Sequence, residues 1–275
     1  MMLTPPSVPP NVISAVRSRW PERAGEWTRR VETELLELCA RYRATPRRVL
    51  PARYGFVVAV DTVHGGLVMR SSADPNGPNQ SRVAIALADL GVAPTVHEAI
   101  DTDISTWMIL DEVQPATPLA EANVTDATVE SLATTLLAMH GQPAPVPGMP
   151  SVHDWLRERL ESVQSTDLPP GVDQAPDAVR RAALVVLDDL GGDATSQLCH
   201  GDMSPLNVLA SGTNEWTLID PRGMSGEVSY DAAVLGLKIA RNGPATLIAV
   251  RLAKAAGLDA DRTLAWVSVA DAARV

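Results

Sequence analysis

The chain has 275 residues, of which 45% are hydrophobic and 20% are charged, a balance typical of a globular protein and not of a disordered one. Its formal net charge of −10 opposes binding to nucleic acid and to anionic membranes, and it would favour a cationic ligand. Two cysteines make no disulfide framework, the proline-rich start is not a signal peptide, and no apolar run approaches the roughly 18 to 20 residues that span a bilayer. We therefore expect a soluble, cytoplasmic protein. The sequence does not indicate an oligomeric state.

The first part of the chain predicts a helix followed by a small β-rich lobe. Prolines keep residues 1–11 out of a helix, whereas apolar residues at three- and four-residue steps predict one helix from Val12 to Tyr42. This arm and helix, residues 1–44, precede a lobe over residues 45–113. The predicted elements of that lobe are strands at 48–50, 56–60 and 67–70, a helix at 82–90, and strands at 96–99 and 107–113.

The remainder of the chain, residues 114–275, predicts a larger helical lobe. Its predicted helices span residues 125–140, 152–163, 177–190, 231–241, 245–256 and 259–274. A predicted β-hairpin, with its turn at residues 211–215, lies among them. A β-rich first part and a helix-rich second part together predict an α+β fold of two lobes with a cleft between them.

One stretch of this second part carries the residue types that chemistry needs. It reads Leu-Cys-His-Gly-Asp-Met-Ser-Pro-Leu-Asn-Val-Leu over residues 198–209 and Trp-Thr-Leu-Ile-Asp-Pro over residues 216–221. His200, Asp202 and Asn207 therefore lie in one polar loop, and Asp220 lies just past the hairpin. Oxygen ligands of this kind suit Mg²⁺. An Asp five residues before an Asn, with a second Asp after a hairpin, is the spacing that protein kinases use for phosphoryl transfer.

This stretch has two other interpretations. Asp, Gly, Ser, Pro and Asn are ordinary loop residues, so a polar loop without chemistry is the simplest alternative. A zinc site would draw on Cys199, His200 and Asp202, but alternation along an extended segment points Cys199 away from His200, and no second cysteine pair exists. The fixed spacing of the whole string favours the kinase interpretation over both.

The loop from His200-Gly201-Asp202 to Asn207 resembles the catalytic loop of the aminoglycoside phosphotransferases. The continuation from Trp216 to Asp231, with its Ile-Asp-Pro, its Gly-Glu and an aromatic residue, is similar to the branch of streptomycin kinases and hydroxyurea phosphotransferases. The resemblance implies a bilobal, protein-kinase-like fold with a β-rich N-terminal lobe and a larger α-helical C-terminal lobe. It also implies ATP- and Mg²⁺-dependent transfer to a hydroxyl of a small cationic molecule, such as an aminoglycoside or amino sugar. A role in antibiotic resistance would follow from the family alone.

The resemblance assigns roles to individual residues of the loop and its surroundings. Asp202 would be the catalytic base, and Asn207 and Asp220 would be the Mg²⁺ ligands. His200 would brace the loop by hydrogen bonding, and Asp231 would anchor it from the following helix.

Two further assignments concern the substrates. Glu227 is expected either to contact the acceptor or to be a solvated loop carboxylate, and the sequence does not decide between them. The strand that ends at Val113 resembles the hinge of the family, so backbone groups of Asp111, Glu112 and Val113 would meet the adenine edge of the nucleotide.

The chain departs from the family at the nucleotide phosphates. The family places a lysine in the third strand, where Arg70 stands here, and the glutamate that partners this lysine has no clear equivalent near Gln80. Arginine can bind phosphate bidentately, yet it does not simply replace lysine at a tight site. A kinase-fold binding protein with impaired catalysis is therefore the alternative function. A protein kinase is disfavoured because Asp220 to Asp231 leaves no room for a long activation segment.

Overall fold

The computed structural model describes residues 6–163, 168, 171–191, 197–240 and 245–275. Residues 1–5 of the predicted arm, Gly192 at the end of one predicted helix and Arg241 at the end of another lie outside the described residues. The chain forms two compact units: one comprises residues 1–81 and 94–112, the other residues 82–93 and 113–275.

The first unit begins with two helices where one was predicted. They are α1 (Pro10–Arg19) and α2 (Pro21–Tyr42). The break falls at Trp20, because a residue before proline is pushed out of the helical region, whereas Pro21 itself fits the first turn of the next helix. The predicted arm of residues 1–11 was also too long, since α1 already begins at Pro10. Before that helix, Val8 is buried and its amide donates to Glu32 Oε1 at 2.9 Å.

Five strands form one antiparallel sheet in the first unit. They are β1 (Thr45–Val49), β2 (Gly55–Thr62), β3 (Gly65–Ser72), β4 (Val96–Asp101) and β5 (Thr106–Asp111). Their order across the sheet is β1-β2-β3-β5-β4. The alternating apolar residues of β2, β3 and β5 pack against α1 and α2, and Trp27, Phe56, Met69 and Trp107 lie in that core.

Helix α3 (Gly77–Asp89) connects β3 to β4 and starts five residues before the predicted position. Residues 74–79 were expected to form a loop because they are rich in Pro, Gly and Asn. Pro78 nevertheless suits a helical first turn, and at Gly77 a Cβ atom would lie 2.5 Å from Thr106 Oγ1. The close approach of the two segments explains the glycine and fixes the helix start.

The second unit is mainly helical and contains two small sheets. Its helices from residue 126 onward are α4 (Asp126–Met139), α5 (Val152–Glu161), α6 (Asp177–Leu190), α7 (Val228–Ile239), α8 (Ala245–Ala255) and α9 (Ala260–Ala272). Its strands are β6 (Gln197–Leu198), β7 (Val208–Gly212), β8 (Glu215–Leu218) and β9 (Ser225–Gly226). The predicted hairpin is formed by β7 and β8, and β6 pairs with β9.

Helix α7 runs through the core of the second unit. Tyr230, Ala233 and Val234 face one hydrophobic cluster, while Ala232 and Leu235 face another. A helix buried on most sides is held at a fixed position and angle. Among the residues described, none of the helices is both long and apolar enough to cross a membrane.

Candidate active site

The loop predicted to be catalytic, residues 199–207, connects β6 to β7 and is anchored at its start by Asp231 of α7. One carboxylate oxygen of Asp231 accepts the His200 amide at 2.8 Å, and the other accepts the Gly201 amide at 2.9 Å. Gly201 has a φ of +78°, and a Cβ there would approach Arg222 Cβ to 3.0 Å, so glycine suits this turn. Burial raises the pKa of Asp231 to about 7, although the two amide donors oppose the rise.

His200 links the two halves of the motif through its ring. Nε2 lies 2.9 Å from the carbonyl of Ile219, and Nδ1 accepts the amide of Asp202 at 3.3 Å. A carbonyl only accepts and an amide only donates, so the ring carries its proton on Nε2 and is neutral. Burial lowers the pKa of His200, which agrees with a neutral imidazole.

The carboxylate of Asp202 lies between a lysine and the loop asparagine. Lys238 Nζ, from the last turn of α7, lies 3.4 Å from Oδ1. Asn207 Nδ2 donates to the Asp202 carbonyl at 2.9 Å and lies 3.4 Å from Oδ2. Burial alone would raise the pKa of Asp202, but the charges of Lys238 and Arg222 outweigh it and lower that pKa below its ordinary value. Asp202 is therefore ionised at neutral pH and can accept a proton.

Asn207 and Asp220 are neighbours at the open end of the β7–β8 hairpin. The last pair of the hairpin is Val208 with Leu218, and just beyond it the Ile219 amide donates to the Asn207 carbonyl at 2.9 Å. Asp220 follows with a φ of +57°, a conformation that is uncommon outside glycine and that recurs at functional sites. The Asn207 amide nitrogen is used within the loop. An amide oxygen and a carboxylate are donor types that Mg²⁺ prefers, and the assignment of Asn207 and Asp220 as its ligands stays a prediction.

Glu227, the residue before α7, is held inside the second unit by partners from α9. Arg262 Nε lies 2.8 Å from both carboxylate oxygens, and Trp266 Nε1 donates to Oε1. Only 10% of the Glu227 side chain is exposed. These contacts favour a structural role for Glu227. An acceptor contact or a solvated carboxylate was expected from the sequence, and a buried ion pair was not anticipated. An acceptor contact by Glu227 stays a prediction.

In the first unit, Arg70 of β3 meets Gln80 of α3. Arg70 Nη2 donates to Gln80 Oε1 at 3.2 Å, and Gln80 Nε2 donates to Asp74 Oδ2 at 2.9 Å. Gln80 thus stands where the family resemblance places a glutamate beside the third-strand lysine. The contact between these two residues is a hydrogen bond from a cation to a neutral amide.

The segment expected to meet adenine already uses two of its amides. The Asp111 amide donates to the Thr95 carbonyl at 3.0 Å, and the Glu112 amide donates to the Gly66 carbonyl at 3.1 Å. These two amides cannot also donate to a nucleotide. The prediction for Asp111 and Glu112 therefore depends on their carbonyl oxygens, and that for Val113 stays a prediction.

Sequence reasoning missed two cations beside Asp202. Lys238 is described above, and the Arg222 guanidinium lies 3.9 Å from the ring centroid of Trp155, a cation–π geometry that holds it in place. The Arg222 amide also donates to the His200 carbonyl at 2.9 Å. Lys238 could have been found, because it follows Asp231 by seven residues and so lies on the same face of a helix.

Comparison with known proteins assigns the chain to a class and then to a family. Its fold is that of the small-molecule kinases: an aminoglycoside-3'-phosphotransferase of type VIII superposes with a TM-score of 0.60, at 20% identity, over 88% of this chain and 98% of that one. A choline/ethanolamine kinase family protein from Mesorhizobium loti gives a TM-score of 0.66, at 18% identity, over 89% of this chain and 82% of that one. The aminoglycoside phosphotransferase APH(3'')-Id from Streptomyces rimosus, solved with ADP and streptomycin, gives a TM-score of 0.61, at 15% identity, over 90% of this chain and 99% of that one.

The model of the phosphotransferase enzyme family, APH, matches residues 46–267, and the chain therefore belongs to that family. Streptomycin 6-kinase from Streptomyces griseus is 28% identical over 131 residues, which are 46% of this chain and 41% of that enzyme. The match thus spans less than half the length of this curated relative. The predicted superfamily and the predicted α+β, kinase-like fold are both confirmed.

Proposed function

We propose that the protein transfers the γ-phosphoryl group of ATP to a hydroxyl of a small, nitrogen-bearing alcohol. One observation carries this proposal: the Asp202 carboxylate and the Asn207 amide are joined in one loop, and Asp220 lies beside Asn207 at the end of the adjoining hairpin. A proton acceptor next to a pair of hard oxygen donors is the arrangement that phosphoryl transfer needs.

In this reaction the acceptor oxygen forms a bond to the γ-phosphorus while the bond from that phosphorus to the bridging oxygen breaks and ADP leaves. Asp202 accepts the hydroxyl proton, and its lowered pKa keeps it ionised for that task. Asn207 and Asp220 would hold Mg²⁺, which when bound neutralises charge on the phosphates. His200 and Asp231 hold the loop in one conformation, so the base is positioned before the substrates arrive.

The nucleotide phosphates would be bound in part by Arg70. Gln80 Oε1 accepts a hydrogen bond from the guanidinium and helps to orient it. The ADP found with the Streptomyces rimosus phosphotransferase supports ATP as the donor.

The acceptor class is supported by charge and by the names of the relatives. The net charge of −10 favours a cation in general terms. The similar proteins are named for aminoglycosides, streptomycin, choline and ethanolamine, which all pair a hydroxyl with a nitrogen-bearing group.

The test is ADP formation and phosphorylated product with ATP, Mg²⁺ and a panel of streptomycin, other aminoglycosides, amino sugars and choline. Asp202→Asn should lower kcat by about 10²- to 10⁴-fold, the range for a general base. Asp103→Asn is the matched control, since its side chain is 72% exposed in a turn of the first unit. An Asp202→Asn protein with full turnover would contradict the assignment.

A kinase-fold binding protein with impaired catalysis is the second candidate. The Arg70–Gln80 pair favours it, since this pair stands where the family resemblance places lysine and glutamate. Calorimetric titration of ATP with and without Mg²⁺ separates the two functions. Nucleotide binding that is absent at millimolar concentration, together with no product from the panel, would favour the binding protein.

A further inference from the structure

The ammonium of Lys238 forms an ion pair with the carboxylate of Asp202. Its Nζ lies 3.4 Å from Asp202 Oδ1, and the Lys238 and Asp202 side chains are 27% and 36% exposed. Both groups are thus partly sheltered and partly open to an incoming ligand. An ion pair at this degree of exposure contributes little to folding stability, so stability does not explain why a lysine lies next to Asp202.

Helix α7 carries both this lysine and Asp231, the residue that anchors the loop, so it holds both of them at fixed positions. Asp231 and Lys238 are seven residues apart, close to two helical turns, so both point from one face of α7, about 10 Å apart along its axis. Asp231 holds the amides of His200 and Gly201, and Lys238 reaches Asp202. The helix therefore contacts the loop at two points, one structural and one at the reacting carboxylate.

The use of lysine at this position stands out against the composition. The chain has 23 cationic side chains, of which 21 are arginine, and its two lysines are Lys238 and Lys254. Lys254 is exposed on α8. Arginine presents a flat fork, whereas lysine presents a compact charge with three rotatable donors. The position next to Asp202 thus carries the rare cation of this chain, the one that can turn between two acceptors.

An ammonium beside a general base does not make that base stronger. It stabilises the carboxylate and so weakens its affinity for a proton. Any contribution of Lys238 to the reaction must therefore act on the γ-phosphoryl group, the other group that the attacking hydroxyl contacts. That hydroxyl has to lie within hydrogen-bond reach of Asp202 and about 3 to 3.5 Å from the γ-phosphorus. Lys238 Nζ lies 3.4 Å from Asp202 Oδ1, so it would reach the oxygens on that phosphorus where the hydroxyl binds on the same side of the carboxylate.

We propose that Lys238 is a catalytic residue that binds an oxygen of the γ-phosphoryl group during transfer while it holds Asp202 toward the acceptor hydroxyl. The proposal rests on the kinase function proposed above. Helix α7, which anchors the catalytic loop, would then also supply a lysine that stabilises charge on the transferring group. The third strand of this chain carries Arg70.

Steady-state kinetics with three variants test the proposal. Lys238→Met keeps the length and removes the charge, and we expect kcat to fall about 10²- to 10³-fold, as for loss of one preorganised donor, while the Kd of ATP changes less than about threefold. Lys238→Arg should recover at least tenfold of that loss, and Lys254→Met should match the wild type. A merely structural role would change the melting temperature and not this split between kcat and Kd. Lys238→Met with kcat within threefold of wild type would overturn the proposal.

Chemical labelling of lysines in the wild-type protein tests the same proposal without a substitution that could disturb folding. The probe is an acyl-phosphate derivative of ATP, in which an acyl group is joined to the terminal phosphate. A lysine amine near that phosphate attacks the acyl carbon, an amide forms, and the nucleotide leaves with the electrons of the broken carbon–oxygen bond while the amine loses a proton. Peptide mass spectrometry should find the acyl group on Lys238, with labelling blocked by excess ATP, and no ATP-protected label on Lys254.

The outcomes separate this proposal from the proposed function. A wild-type protein that binds ATP and phosphorylates an acceptor, but acquires no ATP-protected label on Lys238, retains its function and refutes the role of the lysine. A wild-type protein that binds no ATP and forms no product refutes both.

Discussion

Replacement of Glu227 by glutamine tests whether this carboxylate belongs to the fold or to the acceptor site. Glutamine keeps the shape but removes the charge, and its amide group would place a donor where Arg262 or Trp266 already donates. Loss of a charge-assisted hydrogen bond costs about 1.5–3 kcal/mol, and removing one partner of a buried pair costs about 3–5 kcal/mol. Arg262 is 28% exposed, so solvent compensates part of this. We expect the free energy of unfolding to fall by about 2–4 kcal/mol.

Urea unfolding followed by circular dichroism measures that change. The matched control is Glu26→Gln, because Glu26 is 46% exposed and pairs with Arg29 and Arg30 on the surface of α2. It should change the unfolding free energy by less than about 0.5 kcal/mol. Equal, small changes in both variants would refute the structural role. A Glu227→Gln protein with wild-type stability and a raised KM for the acceptor would restore the acceptor contact.

Two other substitutions probe the support of the site. At Gly236 a Cβ would lie 2.7 Å from the backbone nitrogen of Ala249 on α8, so Gly236→Ala should lower the free energy of unfolding by about 1–3 kcal/mol. At Gly25 a Cβ would meet nothing within 4 Å, so Gly25→Ala should raise it by about 0.5–1 kcal/mol. Melting temperatures that shift in the same direction in both variants would contradict this. Burial raises the pKa of Asp231 to about 7, so the stability that its proton provides is full below pH 4 and is lost as pH rises toward 7. Relative to Asp231→Asn, wild type should therefore lose about 2–3 kcal/mol between pH 5 and 8, and a pH-independent difference in urea unfolding would refute the burial argument.

Local patterns in the sequence predicted most of the elements. Apolar periodicity located α2, Pro176 and Gly191 bounded α6, and the hairpin before Asp220 was recognised from its two short apolar runs. The misplaced boundaries have local causes as well. The helix break at Trp20 comes from Pro21, and the early start of α3 comes from Pro78 after a closely packed glycine. In the first place the effect of Pro21 on the residue before it was overlooked, and in the second Pro78 was assigned to a loop although proline favours the first turn of a helix.

Partners that are distant in the chain could not be predicted. Arg262 lies 35 residues after Glu227, a spacing that periodicity cannot detect. Helical spacing places Lys238 on the face of α7 that carries Asp231, but it does not show that the lysine reaches Asp202, 36 residues earlier in the chain. The Arg70–Gln80 contact was within range, but it required the true start of α3. Side-chain partners depend on how elements pack, which the order of residues within one element does not encode.

The two outer strands of the five-stranded sheet bear on how the protein behaves when concentrated. An edge strand offers unpaired backbone groups to a second molecule, and β1 and β4 are the edges of this sheet. Pro46 removes one donor from β1, with Arg47 and Arg48 following it, and the strand shifts register at that point. Strand β4 also shifts register, and Glu98 lies at the shift. Interrupted, charged edges of this kind resist pairing between molecules, so the sheet is protected against aggregation at both of its open sides.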